Sequence, residues 1–374
     1  MKIGIVSIHS AHNYGSVLQA YALQESLKKF SDIVEIINYR PNYFDCQYKI
    51  FSIKIYKRYV GLYDKILHFG WRIIMLPSRI EKYNKFESFI RSNMNLTKKF
   101  NTYKELCNTK FSYDSIFVGS DQVWNTDITE GFDKTFYLGF VDNNTIKASY
   151  AASIGRKNLD SKYMDLYKKF INDFDFISLR EKSSIKLLEK ITQKKISTSL
   201  DPTLLLDQNE WNLISNKSIL NLKNKKYIFV YILQENPEFI LIVNEISAIL
   251  HLPVYSISKK KRFNNEKIYP NAGPEDFLKL CENCEFVITN SFHGTVFSLI
   301  FEKRNCIIPH LNTGDRMIDL MKKVGLADRI VPKKKNLNCE KIIEDIDYIK
   351  VKNIIKKEQK KSMEYIKEVC KKGE

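Results

Sequence analysis

Short runs of Ile, Val and Phe alternate with longer segments of helical period along nearly the whole of this 374-residue chain. A run that is apolar at almost every position must be buried on both faces, which is how strands of parallel sheets read. Ile3-Gly4-Ile5-Val6-Ser7 is such a run, and a helix opening at Gly15 continues through Ala20, Leu23 and Leu27. Further strands are expected over residues 33–39, 115–119, 148–152, 174–179 and 196–200. This β-α alternation predicts parallel sheets with helices on both faces.

A second series begins at Lys226-Tyr227-Ile228-Phe229-Val230-Tyr231 and continues with runs over 253–257, 286–289 and 305–308. Asp201-Pro202-Thr203 closes the first series, and a polar stretch separates the two. The expected organisation is an N-terminal Rossmann-like domain over 1–207 and a C-terminal one over 225–335, with an amphipathic helix over 340–374. Residues 45–110 read as a helical, aromatic insertion in the first domain. Ligands of such sheets bind beyond the carboxyl ends of the strands, so the expected site is a cleft faced by both domains.

Composition narrows the function. Hydrophobic residues make up 44% and charged residues 28%, the profile of a globular protein. No apolar run is long enough to cross a membrane as a helix, and Met1-Lys2-Ile3-Gly4-Ile5-Val6 lacks the features of a signal peptide, so a cytoplasmic location is expected. The formal charge of +17 points to an anionic partner. The runs Lys259-Lys260-Lys261-Arg262 and Lys333-Lys334-Lys335 suggest peripheral contact with the inner face of a membrane, or simply solvated faces. No recognition motif accompanies the charge, so nucleic acid is not an expected partner. The seven cysteines form no disulfide framework, and Cys281-x-x-Cys284 has no second ligand pair for a structural zinc.

Four polar clusters follow predicted strands. His9, His12, Asn13, Tyr14 and Gly15 precede the first helix, where N–H groups can hold an anion or Asn13 can simply cap. Ser120, Asp121, Gln122, Trp124 and Asn125 follow the third strand. Their polar groups suit sugar hydroxyls and the indole suits a sugar face, although a buried Trp is the plainer reading. Arg180, beside Glu181, suits bidentate binding of carboxylate or phosphate, or a pairing with its neighbour. Ser291, His293, Gly294 and Thr295 join the strand Phe286-Val287-Ile288 to a helix. A histidine there can move a proton while neighbouring N–H groups hold an anion.

Taken together and in order, these motifs resemble the polysaccharide pyruvyl transferase family. The resemblance is carried by His12-Asn13-Tyr14-Gly15, Gly119-Ser120-Asp121-Gln122-Val123-Trp124-Asn125, Ser149-Tyr150-Ala151-Ala152-Ser153 and Leu179-Arg180-Glu181. It continues through Asp201-Pro202-Thr203, Asn290-Ser291-Phe292-His293-Gly294-Thr295 and Gly314-Asp315-Arg316. It implies two Rossmann-like domains arranged as in B-type glycosyltransferases, phosphoenolpyruvate as donor and a sugar diol as acceptor, free or in a lipid-linked oligosaccharide. It implies no obligatory metal or nicotinamide. It gives Arg180 and His293 the donor-contacting and activating roles and places the first domain, with His9 and His12, on the acceptor side. Some members carry Arg where Ser291 stands, so Arg316, with Lys303 and Arg304 behind it, is the expected substitute. Two other readings stand beside this one: a glycosyltransferase using a nucleotide sugar, and a non-catalytic scaffold of polysaccharide assembly.

Overall fold

The computed structural model describes residues 1–44, 75–309 and 314–373. Two compact units are present: Met1–Leu205 with Glu358–Glu374, and Leu206–Lys357. Each is built on a parallel sheet, so the chain is a mixed α/β protein with two Rossmann-like units.

In the first unit, β1 (Lys2–Val6), β2 (Ile33–Ile36), β3 (Ser115–Val118) and β4 (Ile146–Ser149) pair in the order β2-β1-β3-β4. All three pairings are parallel. A further parallel pair, β5 (Ile177–Leu179) and β6 (Ile196–Thr198), is tied to β4 by bridges at Ala148–Phe176 and Ala152–Leu179. Ile3, Ile5, Val6, Ile116, Phe117 and Val118 have no exposed surface, which explains their unbroken apolar runs. The helix Tyr14–Leu27 is capped by Asn13, whose Oδ1 accepts from the Gly15 N–H at 2.9 Å.

In the second unit, β7 (Ile228–Tyr231), β8 (Val254–Ser256), β9 (Glu266–Ile268), β10 (Phe286–Thr289) and β11 (Arg304–Ile307) form a parallel sheet of order β11-β10-β7-β8-β9. β9 lacks an apolar run and escapes sequence reading because it is a three-residue edge strand.

These orders locate the sites. Strand order reverses direction between β1 and β3 in the first unit and between β7 and β10 in the second. Ligands of open α/β sheets bind beyond the carboxyl ends at such switch points. The segments after β1 and β3 carry His12 and Asp121, and the segment after β10 carries His293.

One sequence expectation, the single C-terminal helix, needs adjustment, and two others can be placed. The 45–110 insertion lies partly outside the described residues; its described part contains the helices Leu76–Asn93 and Tyr103–Cys107. The helix expected over 340–374 is two helices, Cys339–Ile343 and Tyr348–Gly373. The chain extends at Glu344 (ψ 152°), and Asp347 accepts from the Lys350 N–H at 3.3 Å to start the second helix. Cys281 and Cys284 are core residues whose thiols burial pushes up, Cys284 to about 12, so neither is poised for redox or metal chemistry. Among the described residues, no group of three or more His, Cys, Asp or Glu could hold a metal ion, and no helix is long and apolar enough to cross a membrane.

Candidate functional site

In the first unit, the two loops at the switch point are bound to each other. Ser16 Oγ donates to Asp121 Oδ2 at 2.5 Å, and within the first of these segments Gln19 Nε2 donates to Ser7 Oγ at 2.8 Å. Asp121 has φ +73°, the left-handed region that a residue with a side chain occupies only at a cost. Its Oδ1 accepts from the Gln122 N–H at 2.9 Å, which helps hold that turn. Asp121 and Gln122 remain partly exposed. Asn125 is buried and donates to Gln122 Oε1 at 2.7 Å, so it braces the loop.

Trp124 is a correction. It is 2% exposed, its Nε1–H donates to the Phe136 carbonyl at 2.8 Å, and it stacks on Tyr137. An indole so placed is core and offers no face to a sugar. His9 is likewise fully buried, donating from Nδ1 to the Ser7 carbonyl at 3.1 Å and facing Asn38 Oδ1 from Nε2 at 3.0 Å. It supports the loop from beneath and is not an acceptor contact. Tyr14 is 2% exposed and packs on Phe86. Asn13 and Gly15 are joined in the helix cap, the plainer of their two expected uses. His12 is partly buried, as is Asn13, and meets Glu87.

Arg180 anchors a second network at the ends of β3 and β5. Its Nη1 lies 3.0 Å from Asp201 Oδ2 and its Nε 3.2 Å from Glu181 Oε1. Ser120 Oγ donates to Asp201 Oδ2 at 3.0 Å, Thr203 Oγ1 to Asp201 Oδ1 at 2.6 Å and Ser153 Oγ to Glu181 Oε1 at 2.6 Å. Ser120 is therefore buried in this network, away from any acceptor. Burial works against the Arg180 charge, yet Glu181, Asp201 and Asp121 outweigh it and raise its affinity for the proton. This is a buried pairing with two carboxylates; the alternative weighed from sequence was a surface pairing with one.

In the second unit, β10 delivers Asn290 and Ser291 to the helix Phe292–Ile300. Asn290 stitches this end of β10 to the loop after β7, accepting from the Leu233 N–H and donating to the Gln234 carbonyl, both at 2.7 Å. Ser291 is the helix cap: its Oγ accepts from the Gly294 N–H at 3.3 Å, and its carbonyl accepts from the Thr295 N–H at 2.9 Å. The Gly294 and Thr295 N–H groups are thus taken up by Ser291, so neither is a ready-made anion ligand. His293, on the first turn, is 8% exposed with its ring 5.3 Å from that of Phe292. Arg316 lies 5.6 Å from the Phe292 ring centroid, which brings a cation to this helix start. Lys303 and Arg304 are at the opposite, amino end of β11, so they are not substitutes for it. His68 and His310 lie outside the described residues.

Gly294 has a packing role. A Cβ there would fall on Thr289 Oγ1 and within 3.0 Å of its Cβ. Thr289 cannot swing aside cheaply, because its Oγ1 donates to the Tyr231 carbonyl at 2.6 Å and accepts from the Ser291 N–H at 3.0 Å. Gly294→Ala is expected to cost about 1–3 kcal/mol, the range for overpacking a filled site. A urea midpoint unchanged from wild type would contradict this.

What sequence reasoning missed is a buried chain of Asn38, Arg40 and Glu87. Arg40 Nη1 donates to both Glu87 oxygens, at 2.9 and 3.1 Å, and its Nε donates to Asn38 Oδ1 at 2.9 Å. Burial alone would raise the Glu87 carboxyl, but the His12 hydrogen bond and the Arg40 charge hold it down at about 2. Burial lowers the His9 pKa, against the effect of the Asn38 hydrogen bond.

Both shifts set a direction for stability. The unfolded chain protonates His9 as pH falls through about 6.5, before the folded one does, so stability declines below that value. The Glu87 contribution is complete above about 4.5 and is lost as pH falls toward 2. Urea midpoints should therefore be lower at about pH 5.5 than at about pH 7.5, with the difference reduced in His9→Gln. The same difference in His9→Gln as in wild type would remove His9 from this account.

Two parallel α/β units with polar loops at their switch points define a Rossmann-like fold class. The chain belongs to the polysaccharide pyruvyl transferase family, whose model matches residues 13–312. No protein of curated function matches it. Among solved structures it is similar to the UDP-GlcNAc 2-epimerase of Methanocaldococcus jannaschii in complex with UDP-GlcNAc and UDP, at 15% identity and TM-score 0.47, covering 95% of this chain and 93% of that one. It is also similar to the UDP-GlcNAc 2-epimerase of Neisseria meningitidis, at 11% identity and TM-score 0.46, with coverages of 97% and 94%. The glycosyltransferase SnogD of Streptomyces nogalater is similar at 10% identity and TM-score 0.43, with coverages of 100% and 99%. Likeness at this level bears on no chemistry of this chain.

Proposed function

We propose that this protein transfers the pyruvyl group of phosphoenolpyruvate to a sugar diol, forming a pyruvate ketal during assembly of a bacterial surface polysaccharide in the cytoplasm. The family match carries the reading, because it begins at Asn13 and runs through the Asp121, Arg180 and His293 segments. The reaction protonates the methylene carbon of the enol, leaving an adjacent carbon electrophilic and stabilised by oxygen. One acceptor hydroxyl attacks that carbon, phosphate departs, and the neighbouring hydroxyl closes the ketal. Of the two hydroxyl protons lost, one balances the new methyl group and the other leaves with phosphate.

This chemistry needs a proton-transfer group and cations for two anions. In the second unit, His293 is proposed as the proton-transfer group and Arg316 as the cation beside it. Arg180 is proposed as a further donor contact, its guanidinium pre-set by Glu181 and Asp201. The test is incubation with phosphoenolpyruvate and glycans bearing paired hydroxyls. Release of phosphate together with acid-labile pyruvate on the glycan is expected. Phosphate release with no pyruvate on the sugar would refute ketal formation.

A further inference from the structure

His12 differs from His9 in one respect that matters for chemistry: a carboxylate stands behind it. The helix Leu76–Asn93 supplies that carboxylate and two flanking rings. His12 Nε2 lies 3.1 Å from Glu87 Oε1, its ring stacks on Phe86 at 5.1 Å and 25°, and it meets Tyr83 edge-on at 4.7 Å. The His12 and Glu87 side chains are only 8% and 10% exposed. Arg40 grips both oxygens of Glu87 from its other side.

An ionised carboxylate only accepts hydrogen bonds, and Arg40 only donates them. Glu87 Oε1 therefore faces Arg40 and His12 as an acceptor, and the His12 nitrogen pointing at it must carry a proton. In the neutral ring this leaves the lone pair on Nδ1. A carboxylate that fixes one imidazole nitrogen as N–H sets the tautomer and steadies the charged ring, as in hydrolase triads. His9, by contrast, faces a carbonyl and an amide and has no carboxylate against its ring.

We propose that Glu87, locked by Arg40, is a positioning residue that holds His12 in the Nε2–H tautomer, so that His12 Nδ1 takes the proton of the attacking acceptor hydroxyl. This rests on the pyruvyl-transfer reading for the identity of the hydroxyl, but not for the tautomer. The proton passes from the hydroxyl oxygen to Nδ1 as the new C–O bond forms. The charged ring is steadied by Glu87 and gives this proton to the departing phosphate, so it is the hydroxyl proton that leaves with phosphate.

The experiment is a long-range ¹H–¹⁵N correlation spectrum of histidine-labelled protein, with His12 assigned from the His12→Gln variant. Wild type is expected to show His12 protonated at Nε2 and bare at Nδ1; the opposite tautomer would overturn the proposal. In Glu87→Gln, Arg40 retains the amide oxygen, so the amide N–H turns to His12 Nε2 and favours the Nδ1–H form. Turnover should then fall by roughly 10²–10⁴-fold, the contribution of a positioned base, with acceptor KM changed little. Full kcat in a folded Glu87→Gln would also overturn it. The wild-type spectrum does not depend on Glu87→Gln, so it decides the tautomer even if that variant fails to fold. Inactive wild type would sink the pyruvyl-transfer reading and with it the hydroxyl assignment, while the spectrum still judged the tautomer.

Discussion

His293→Ala is expected to turn over phosphoenolpyruvate roughly 10²–10⁴-fold more slowly than wild type, the loss that follows removal of a positioned acid or base. The expectation rests on place. His293 is on the first turn of the helix that follows β10, beside the reversal in strand order, with Arg316 brought to the same turn by Phe292. The fold should survive, because Ser291, Gly294 and Thr295 complete the helix start without the imidazole. The check is turnover with a competent acceptor, paired with a melting curve. A nearly fully active His293→Ala would show the proton-transfer group misassigned, and Asp121, on the strained turn after β3, becomes the next residue to test.

The second large effect is on stability. Arg180→Met leaves Glu181 and Asp201 buried together without their cation, and the Arg180 side chain is itself only 3% exposed. Removing one partner of such a buried group costs about 3–5 kcal/mol. Urea unfolding should show that loss, and Arg180→Met combined with Asp201→Asn should recover part of it, since one uncompensated charge is then gone. A single variant as stable as wild type would contradict the buried-ion account. The same variant separates scaffold from donor contact. Two carboxylates against one guanidinium do not make an anion trap by charge alone. Phosphoenolpyruvate affinity, measured well below the melting point, should fall by about 1.5–3 kcal/mol if the guanidinium also bonds the donor. Unchanged affinity would leave Arg180 a purely structural role.

The architecture was largely legible in the sequence because strands buried on both faces leave unbroken apolar runs, as in Ile228–Tyr231 and Phe286–Thr289. Strand order was not legible, since the runs do not say which strand lies beside which. The site was legible at the level of loops but less so for side chains. Trp124 and His9 sit among polar neighbours in sequence, yet their rings turn inward, and sequence adjacency carries no such direction. Asp201 was visible as part of a motif, but its bond to Arg180 spans β6 and could not be read. Glu87 left the clearest missed signal: a carboxylate between Phe86 and Phe89 on the buried side of a helix requires a buried cation or donor. Arg40 and His12 meet that need from segments far away in the chain.

Thermal unfolding with candidate ligands tests phosphoenolpyruvate as the donor without knowledge of the acceptor. A ligand that binds only the folded state stabilises it by about 2.7 kcal/mol at a hundredfold excess over its Kd. Phosphoenolpyruvate is predicted to raise the melting temperature of the wild-type chain in a concentration-dependent way, more than inorganic phosphate does, while UDP and UDP-sugars leave it unmoved. A rise with UDP or a UDP-sugar and none with phosphoenolpyruvate would contradict the account.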